Sequence, residues 1–401
     1  MELQLFAVCA PGLEPFTAHE LRGLDLLRSP SPSGKAPMER GLGGEAGGVE
    51  FTGALRDLYH ANLHLRTASR VLVRLGAFYA AAFSELRKKA SRLPWEHYLR
   101  PGQPVALRVT CHKSRLYHSD GVAERVAGAI EDRLGRPVEH MKSKSDSQAE
   151  AAAAAQLIVV RLDHDHCQIS LDSSGELLHR RGYRLAAAKA PLRETLAAGM
   201  LMAAQWEVAA PLLDPFCGSG TIPIEAALMQ RGLPPGRARR FAFMDWPNYD
   251  AALWTPLSLS GTVRDRAGGE GPTQPLIFAS DRDAGALEAA QANAARAGVA
   301  EAIVFSRRAV SAIEPPATPG WVVTNPPYGV RVSENRDVRN LYAQFGHVLR
   351  AKCAGWRVVF LTSEAQLARQ AGFDFDSGLR LVNGGLPVRL VIGKVAVDYG
   401  R

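Results

Sequence analysis

Apolar positions along the chain change rhythm near Pro191. Before it, short runs with period-two alternation are interleaved with helical stretches, the pattern of small mixed sheets. Leu3–Cys9 reads as a strand, 14–24 as a helix beyond Pro11-Gly12, 49–52 as a second strand and 54–64 as a helix. Strand-like 70–78 and 105–111 bracket helical 83–93. Segment 121–134 is amphipathic, with Val122, Val126, Ile130 and Leu134 at four-residue spacing. Strands over 157–162 and 167–171 flank Asp163-His164-Asp165-His166, which reads as a hairpin turn rather than a metal site, because turns favour Asp and no further ligands accompany it. Residues 1–175 therefore predict two small α+β units.

After Pro191, helical 192–206 leads into apolar strands at 211–214, 275–280, 302–306, 320–324 and 356–362, alternating with helices as in a parallel α/β sheet. Segments 379–383 and 388–395 flank Gly384-Gly385 and predict a terminal antiparallel hairpin. An insertion over 231–274 carries Trp246, Tyr249 and Trp254. The Ser-Pro and Gly-rich stretch 29–48 cannot build a core and reads as a flexible loop.

A length of 401 residues fits two or three domains. The net charge of +8 leaves a polyanionic partner open. Its distribution is more telling, since 51–115 holds twelve Lys or Arg against three acids, the footprint of a phosphate-facing surface. Arg66, Arg70, Arg74, Lys88, Lys89, Lys113 and Arg115 are the candidate phosphate contacts. The five cysteines are scattered, without CxxC pairs or metal-ligand spacing, so reduced thiols and no metal are expected. No signal peptide is evident and no apolar run approaches the roughly 20 residues of a membrane helix. A soluble, cytoplasmic protein is expected.

Three sites carry candidate chemistry. In the first, a strand ending at Asp214 turns through Pro215-Phe216-Cys217-Gly218-Ser219-Gly220 into a helix from Thr221. Without Cβ atoms at Gly218 and Gly220, a ligand can approach the backbone beside free helix N–H groups. The pattern is neither GxGxxG nor a P-loop, which argues against nicotinamide dinucleotides and nucleotide triphosphates. In the second, Asp281 at the next strand's tip is placed to accept from a nucleoside ribose, while Asp283 is read as a helix N-cap.

The third is Asn325-Pro326-Pro327-Tyr328-Gly329, at the end of another apolar strand. The lone pair of an aromatic amino group is delocalised into its ring. The Asn325 oxygen and the Pro326 carbonyl can each accept one of its N–H groups, which favours a pyramidal, nucleophilic nitrogen. Pro326 and Pro327 fix the backbone that presents this carbonyl, and Tyr328 offers a face to an unstacked base. Transfer of a methyl group to an amino nitrogen fits this set. Attack through a pyrimidine carbon does not, because position 328 is Tyr and Cys217 lies in the glycine turn.

With these residues in view, the chain resembles the THUMP-containing class I RNA methyltransferases, most of all those forming N2-methylguanosine in large-subunit ribosomal RNA. The resemblance runs through Leu65-Arg66-Thr67-Ala68-Ser69-Arg70, His179-Arg180-Arg181-Gly182-Tyr183-Arg184, Ala190-Pro191-Leu192-Arg193-Glu194-Thr195, the glycine turn, Asn325 to Gly329 and Leu341-Tyr342. It implies an α/β Rossmann-like methyltransferase domain, its mostly parallel sheet closed by an antiparallel hairpin, preceded by α+β ferredoxin-like and THUMP modules. The implied divisions are 1–60 completed by about 157–175, THUMP 61–156, linker 176–190 and catalytic domain 191–401. It further implies S-adenosylmethionine held by Thr195, Asp214, Phe216, Cys217, Gly218, Gly220, Thr221, Asp281 and Asn325, and an RNA substrate. Where relatives often place an acid to meet the adenine, this chain has Arg307-Arg308-Ala309-Val310. The same chemistry on transfer RNA, a non-catalytic RNA-assembly role and methylation of DNA adenine are the alternatives.

Overall fold

Eight strands of the N-terminal half join in one sheet: β1 (Leu3–Cys9), β2 (Met38–Glu39), β3 (Gly47–Gly53), β4 (Ala68–Tyr79), β5 (Val105–His112), β6 (His140–Lys142), β7 (Gln156–Asp163) and β8 (His166–Asp172). Their order is β2-β3-β1-β4-β8-β7-β5-β6. The computed structural model describes residues 2–27, 38–39, 47–142, 155–184, 192–259, 276–328, 335–372, 375–383 and 385–396. Most of stretch 29–48 lies outside these residues, yet Met38 and Glu39 pair with Val49 and Gly48. That short stretch is thus strand, because ladder bonds need backbone and no apolar side chains.

The two α+β units expected here are fused edge to edge. The twelve residues of β4 could span about 40 Å when extended. Its first half pairs antiparallel with β1 and its second half with β8. Helices α1 (Glu14–Gly23), α2 (Leu55–His64), α3 (Phe83–Ala90) and α4 (Ser119–Leu134) contribute apolar residues to a single core with the sheet. The β7–β8 turn has positive φ at His164 and Asp165, 50° and 64°, as a two-residue hairpin requires. Asp163 Oδ1 lies 2.8 Å from Nδ1 of both His112 and His164, a hydrogen-bonded cluster that ties β5 to this turn.

The second sheet comprises β9 (Leu212–Asp214), β10 (Ile277–Asp281), β11 (Ile303–Arg307), β12 (Trp321–Thr324), β13 (Arg357–Thr362), β14 (Phe375–Asn383) and β15 (Leu386–Lys394), in the order β11-β10-β9-β12-β13-β15-β14. The first five are parallel and β15 runs antiparallel to both neighbours. Its central strands β9 and β12 are buried at every position, which explains their unbroken apolar runs. Around it lie α5 (Glu194–Ala203), α6 (Thr221–Gln230), α8 (Ala284–Ala297), α9 (Asn335–Lys352) and α10 (Ala365–Gln370), whereas α7 (Ala251–Leu259) packs on the N-terminal core. Strand order reverses between β9 and β12, so their carboxyl ends border the crevice where open α/β sheets take ligands.

The insertion crosses to the other half. Phe241, Phe243, Trp246 and Leu257 belong to the N-terminal core, and Phe243 stacks on Tyr59 at 4.3 Å. Trp246 Nε1 donates to Gln156 Oε1 at 2.8 Å, and the Asp250 N–H to the Tyr59 hydroxyl at 3.0 Å. The remainder, 260–274, lies outside the described residues.

A second junction is polar. Buried Arg181 donates to the Leu178 and Arg66 carbonyls, both at 2.6 Å, and lies 3.4 Å from Glu225 on α6. Arg66 in turn donates to the Leu233 carbonyl at 2.7 Å. The His-Arg-Arg-Gly-Tyr-Arg segment is therefore a bolt between the two sheets.

Candidate active site

Three strand tips are tied together at the crevice. Thr324, the last residue of β12, donates its hydroxyl to Asp214 Oδ1 at 2.5 Å, so the tip that presents Asn325 is anchored to the tip of β9. Asp214 is buried, and desolvation pushes its carboxyl up to about 7 despite the bonds from Thr324 and the Phe216 N–H; the nearby Asp281 charge adds to the rise. Asp281 ends β10 and accepts from the Gly218 N–H through Oδ2 and the Asp283 N–H through Oδ1, both at 3.0 Å. Its four lone-pair positions leave room for further donors. Asp283 caps α8 by accepting from the Ala286 N–H at 2.8 Å.

These tips border a cavity of about 320 Å³. Phe216, Asp281, Asn325, Pro326, Pro327 and Tyr328 line it, together with residues that sequence reasoning did not assign: Pro215, Arg282, Arg308, Ala309, Val310, Gln344 and Asn383. Leu341, noted only as part of the resemblance, lines it as well, one helical turn from Gln344 on α9. Arg308, Ala309 and Val310 occupy the stretch where an adenine-binding acid was missed, so this wall is built of backbone, small side chains and a guanidinium that pairs with Glu314.

Asn325 Oδ1 is buried and has no hydrogen-bond partner among the described residues. A buried carbonyl-type oxygen left unpaired costs about 1–3 kcal/mol, so its position in the cavity wall fits an N–H of a bound group. Pro326 is buried, Pro327 exposed and Tyr328 half-buried. Gly329 lies outside the described residues. The Tyr328 ring packs against the apolar clusters on both faces of the sheet, and its hydroxyl accepts from Asn383 Nδ2 at 2.7 Å.

The two glycines of the turn do different work. A Cβ at Gly218, φ +51°, would meet nothing within 4 Å among the described residues, so the backbone there is open on that side. A Cβ at Gly220, φ +84°, would lie 2.9 Å from the Ala290 Cβ of α8. Gly220 therefore serves close packing of the turn against α8. Cys217, Thr221 and Thr195 are buried outside the described cavity wall. Burial raises the Cys217 thiol well above its ordinary range, which disfavours the thiolate there. Arg184 lies 2.5 Å from the Thr221 hydroxyl and 3.2 Å from Glu194, joining α5 to the start of α6.

Three of the expected RNA contacts are structural. Arg66 is half-buried in the junction and donates to the Leu233 carbonyl. Arg70 is buried against Asp172 at 2.5 Å. Arg74 pairs with Glu50 and covers the Phe6 ring at 4.5 Å. Each guanidinium meets a protein partner, and that of Arg70 is withdrawn from solvent. Lys88, Lys113 and Arg115 remain exposed, whereas Lys89 is half-buried and donates to the Tyr79 carbonyl at 2.7 Å.

The cavity fits a nucleoside cofactor on its own features: a strand-tip carboxylate, Asp281, and the buried Asn325 amide oxygen in its wall, with the Gly218 N–H bonded to Asp281 beside it. Comparison with known proteins agrees. The RMKL-like methyltransferase domain model matches residues 181–384, the RlmL ferredoxin-like domain model 42–72 and the THUMP domain model 80–172. A Synechocystis sp. protein that carries the name RNA methyltransferase slr0064 is 33% identical over 387 residues, 96% of this chain and 95% of its own length. The ribosomal RNA large subunit methyltransferase K/L of Methylococcus capsulatus is 35% identical over 99% of this chain. That alignment takes in 52% of the relative, so the chain spans about half the length of the K/L proteins it matches. The solved methyltransferase SMU.472, complexed with SAH, superposes with a TM-score of 0.81 at 28% identity over 98% of each chain. Matched over half its length by the methyltransferase model and end to end by a relative, the chain belongs to the RMKL-like methyltransferase family, with ferredoxin-like and THUMP modules ahead of its catalytic domain.

Proposed function

We propose that the chain transfers a methyl group from S-adenosylmethionine to the exocyclic N2 of a guanosine in large-subunit ribosomal RNA, in the cytoplasm. The observation that carries this reading is the unpaired, buried Asn325 Oδ1 in one cavity with Asp281 and Tyr328. When bound, S-adenosylmethionine supplies an electrophilic methyl carbon.

The chain's residues do the rest by position. Asp281 offers acceptor positions to ribose hydroxyls, and the bare Gly218 backbone lets the nucleoside lie close. Asn325 Oδ1 and the Pro326 carbonyl accept the two N2 protons, drawing the lone pair out of conjugation. Tyr328 gives the extruded base a stacking surface. After transfer the nitrogen sheds one proton to water, because an amide oxygen is too weak a base to hold it. Catalysis here is orientation and preorganised polarity, without a strong base.

The THUMP match and the K/L relatives support RNA as substrate, and exposed Lys88, Lys113 and Arg115 supply phosphate contacts. Among the described residues no helix is long and apolar enough to cross a membrane. The test is incubation of the purified chain with S-adenosylmethionine and, separately, unmodified large-subunit ribosomal RNA, transfer RNA and duplex DNA, followed by nucleoside mass spectrometry. N2-methylguanosine in the ribosomal RNA alone is expected. Product only in transfer RNA, or N6-methyladenine in DNA, overturns the assignment.

A further inference from the structure

Asn383 closes β14 and pairs with Leu386 across the terminal hairpin, on an element far in sequence from the other site residues. Its side chain is 9% exposed and lines the same cavity as Asn325 and Tyr328. A hairpin-end Asn commonly bonds its own turn. Here the Nδ2 instead donates to the Tyr328 hydroxyl at 2.7 Å.

We propose that Asn383 is a positioning residue for the target base, acting through the Tyr328 hydroxyl. This rests on the reading above, in which an extruded purine stacks beside Asn325. A tyrosine ring turns about two side-chain bonds. Packing against the two apolar clusters restrains the ring near its backbone, and a donor on the para oxygen restrains its far end. Both restraints together fix the plane on which a base would stack, and so the height of its amino group relative to Asn325. Losing this restraint loosens the ring plane, which lowers turnover without touching Asp281 or the glycine turn.

The experiment is a double-mutant cycle of Asn383→Leu and Tyr328→Phe on an unmodified large-subunit ribosomal RNA transcript. It reads kcat, the KM for RNA, and SAH affinity by calorimetry. Each single variant is expected to lose roughly three- to tenfold in kcat, the scale of one hydrogen bond. The double variant should lose no more than Tyr328→Phe alone, and SAH affinity should not move. If Asn383→Leu does not fold, Asn383→Ser enters the same cycle. Losses that multiply in the double variant, or an unchanged kcat in the Asn383 variant, overturn the role of Asn383 while leaving the methyltransferase reading intact. A wild-type chain that methylates no RNA overturns both.

Discussion

Replacing Arg70 with Ala separates a structural cation from an RNA contact. Its guanidinium lies 2.5 Å from Asp172, with side-chain exposures of 4% and 0%, and donates to the Gly175 carbonyl at 2.5 Å. Asp172 keeps two backbone donors, the Ser174 and Gly175 N–H groups at 3.0 Å. Desolvation already raises its carboxyl above the ordinary range, with Arg70 the leading opposing influence. Removing one partner of such a buried pair costs about 3–5 kcal/mol, mostly from the stranded charge. For a unit of 150–250 residues this corresponds to a fall in Tm of roughly 6–20 °C. The deficit should shrink as pH is lowered towards the unfolded carboxylate range, because protonation then relieves the stranded charge. Adding Asp172→Asn should recover part of the loss, because it removes the stranded charge while its single amide oxygen still accepts from one of the two backbone donors. Differential scanning calorimetry of the three proteins, with RNA affinity measured across salt concentrations, is the assay. An Arg70→Ala variant that melts with the wild type and binds RNA with a shallower salt slope would refute the reasoning.

Other outcomes follow from the same geometry. Asn325→Ala should retain SAH binding and lose about 2–4 kcal/mol of transition-state stabilisation, roughly 30- to 1,000-fold in kcat, checked by single-turnover methylation. Neutralising Lys88, Lys113 and Arg115 together should reduce the salt slope of RNA binding by up to about 3 and leave Tm within a few degrees, read by fluorescence anisotropy and calorimetry. Asp214 has a folded pKa raised to about 7 from 3.8, so its ionisation opposes folding: stability is full below about pH 4 and falls as pH rises to 7. Asp214→Asn should flatten that slope in urea titrations, by a difference on the order of 4 kcal/mol at pH 8.

The parts of the site readable from sequence are those written in contiguous residues at one strand tip. The glycine turn, Asp281 and Asn325 to Tyr328 each announce themselves locally, because a strand end, a turn and a helix start follow one another. Arg308, Gln344 and Asn383 reach the cavity only because the strand order and the returning hairpin bring three distant segments to one crevice. Charge was the least reliable guide. Arg70 and Asp172 are 102 positions apart, and nothing near Arg70 in the chain reveals that a carboxylate waits beneath it. The aromatic residues of the insertion were visible as such, but not that they serve the opposite core, since apolar periodicity carries no address.

The bolt at Arg181 and the aromatic plug around Phe243 and Trp246 leave little slack between the first sheet and the crevice of the second. An RNA gripped on one and modified at the other is measured as if by a calliper with a fixed jaw. Under the proposed reading, the target nucleotide would have to lie at a set separation from the gripped feature, so the RNA's own three-dimensional shape would take part in selecting it.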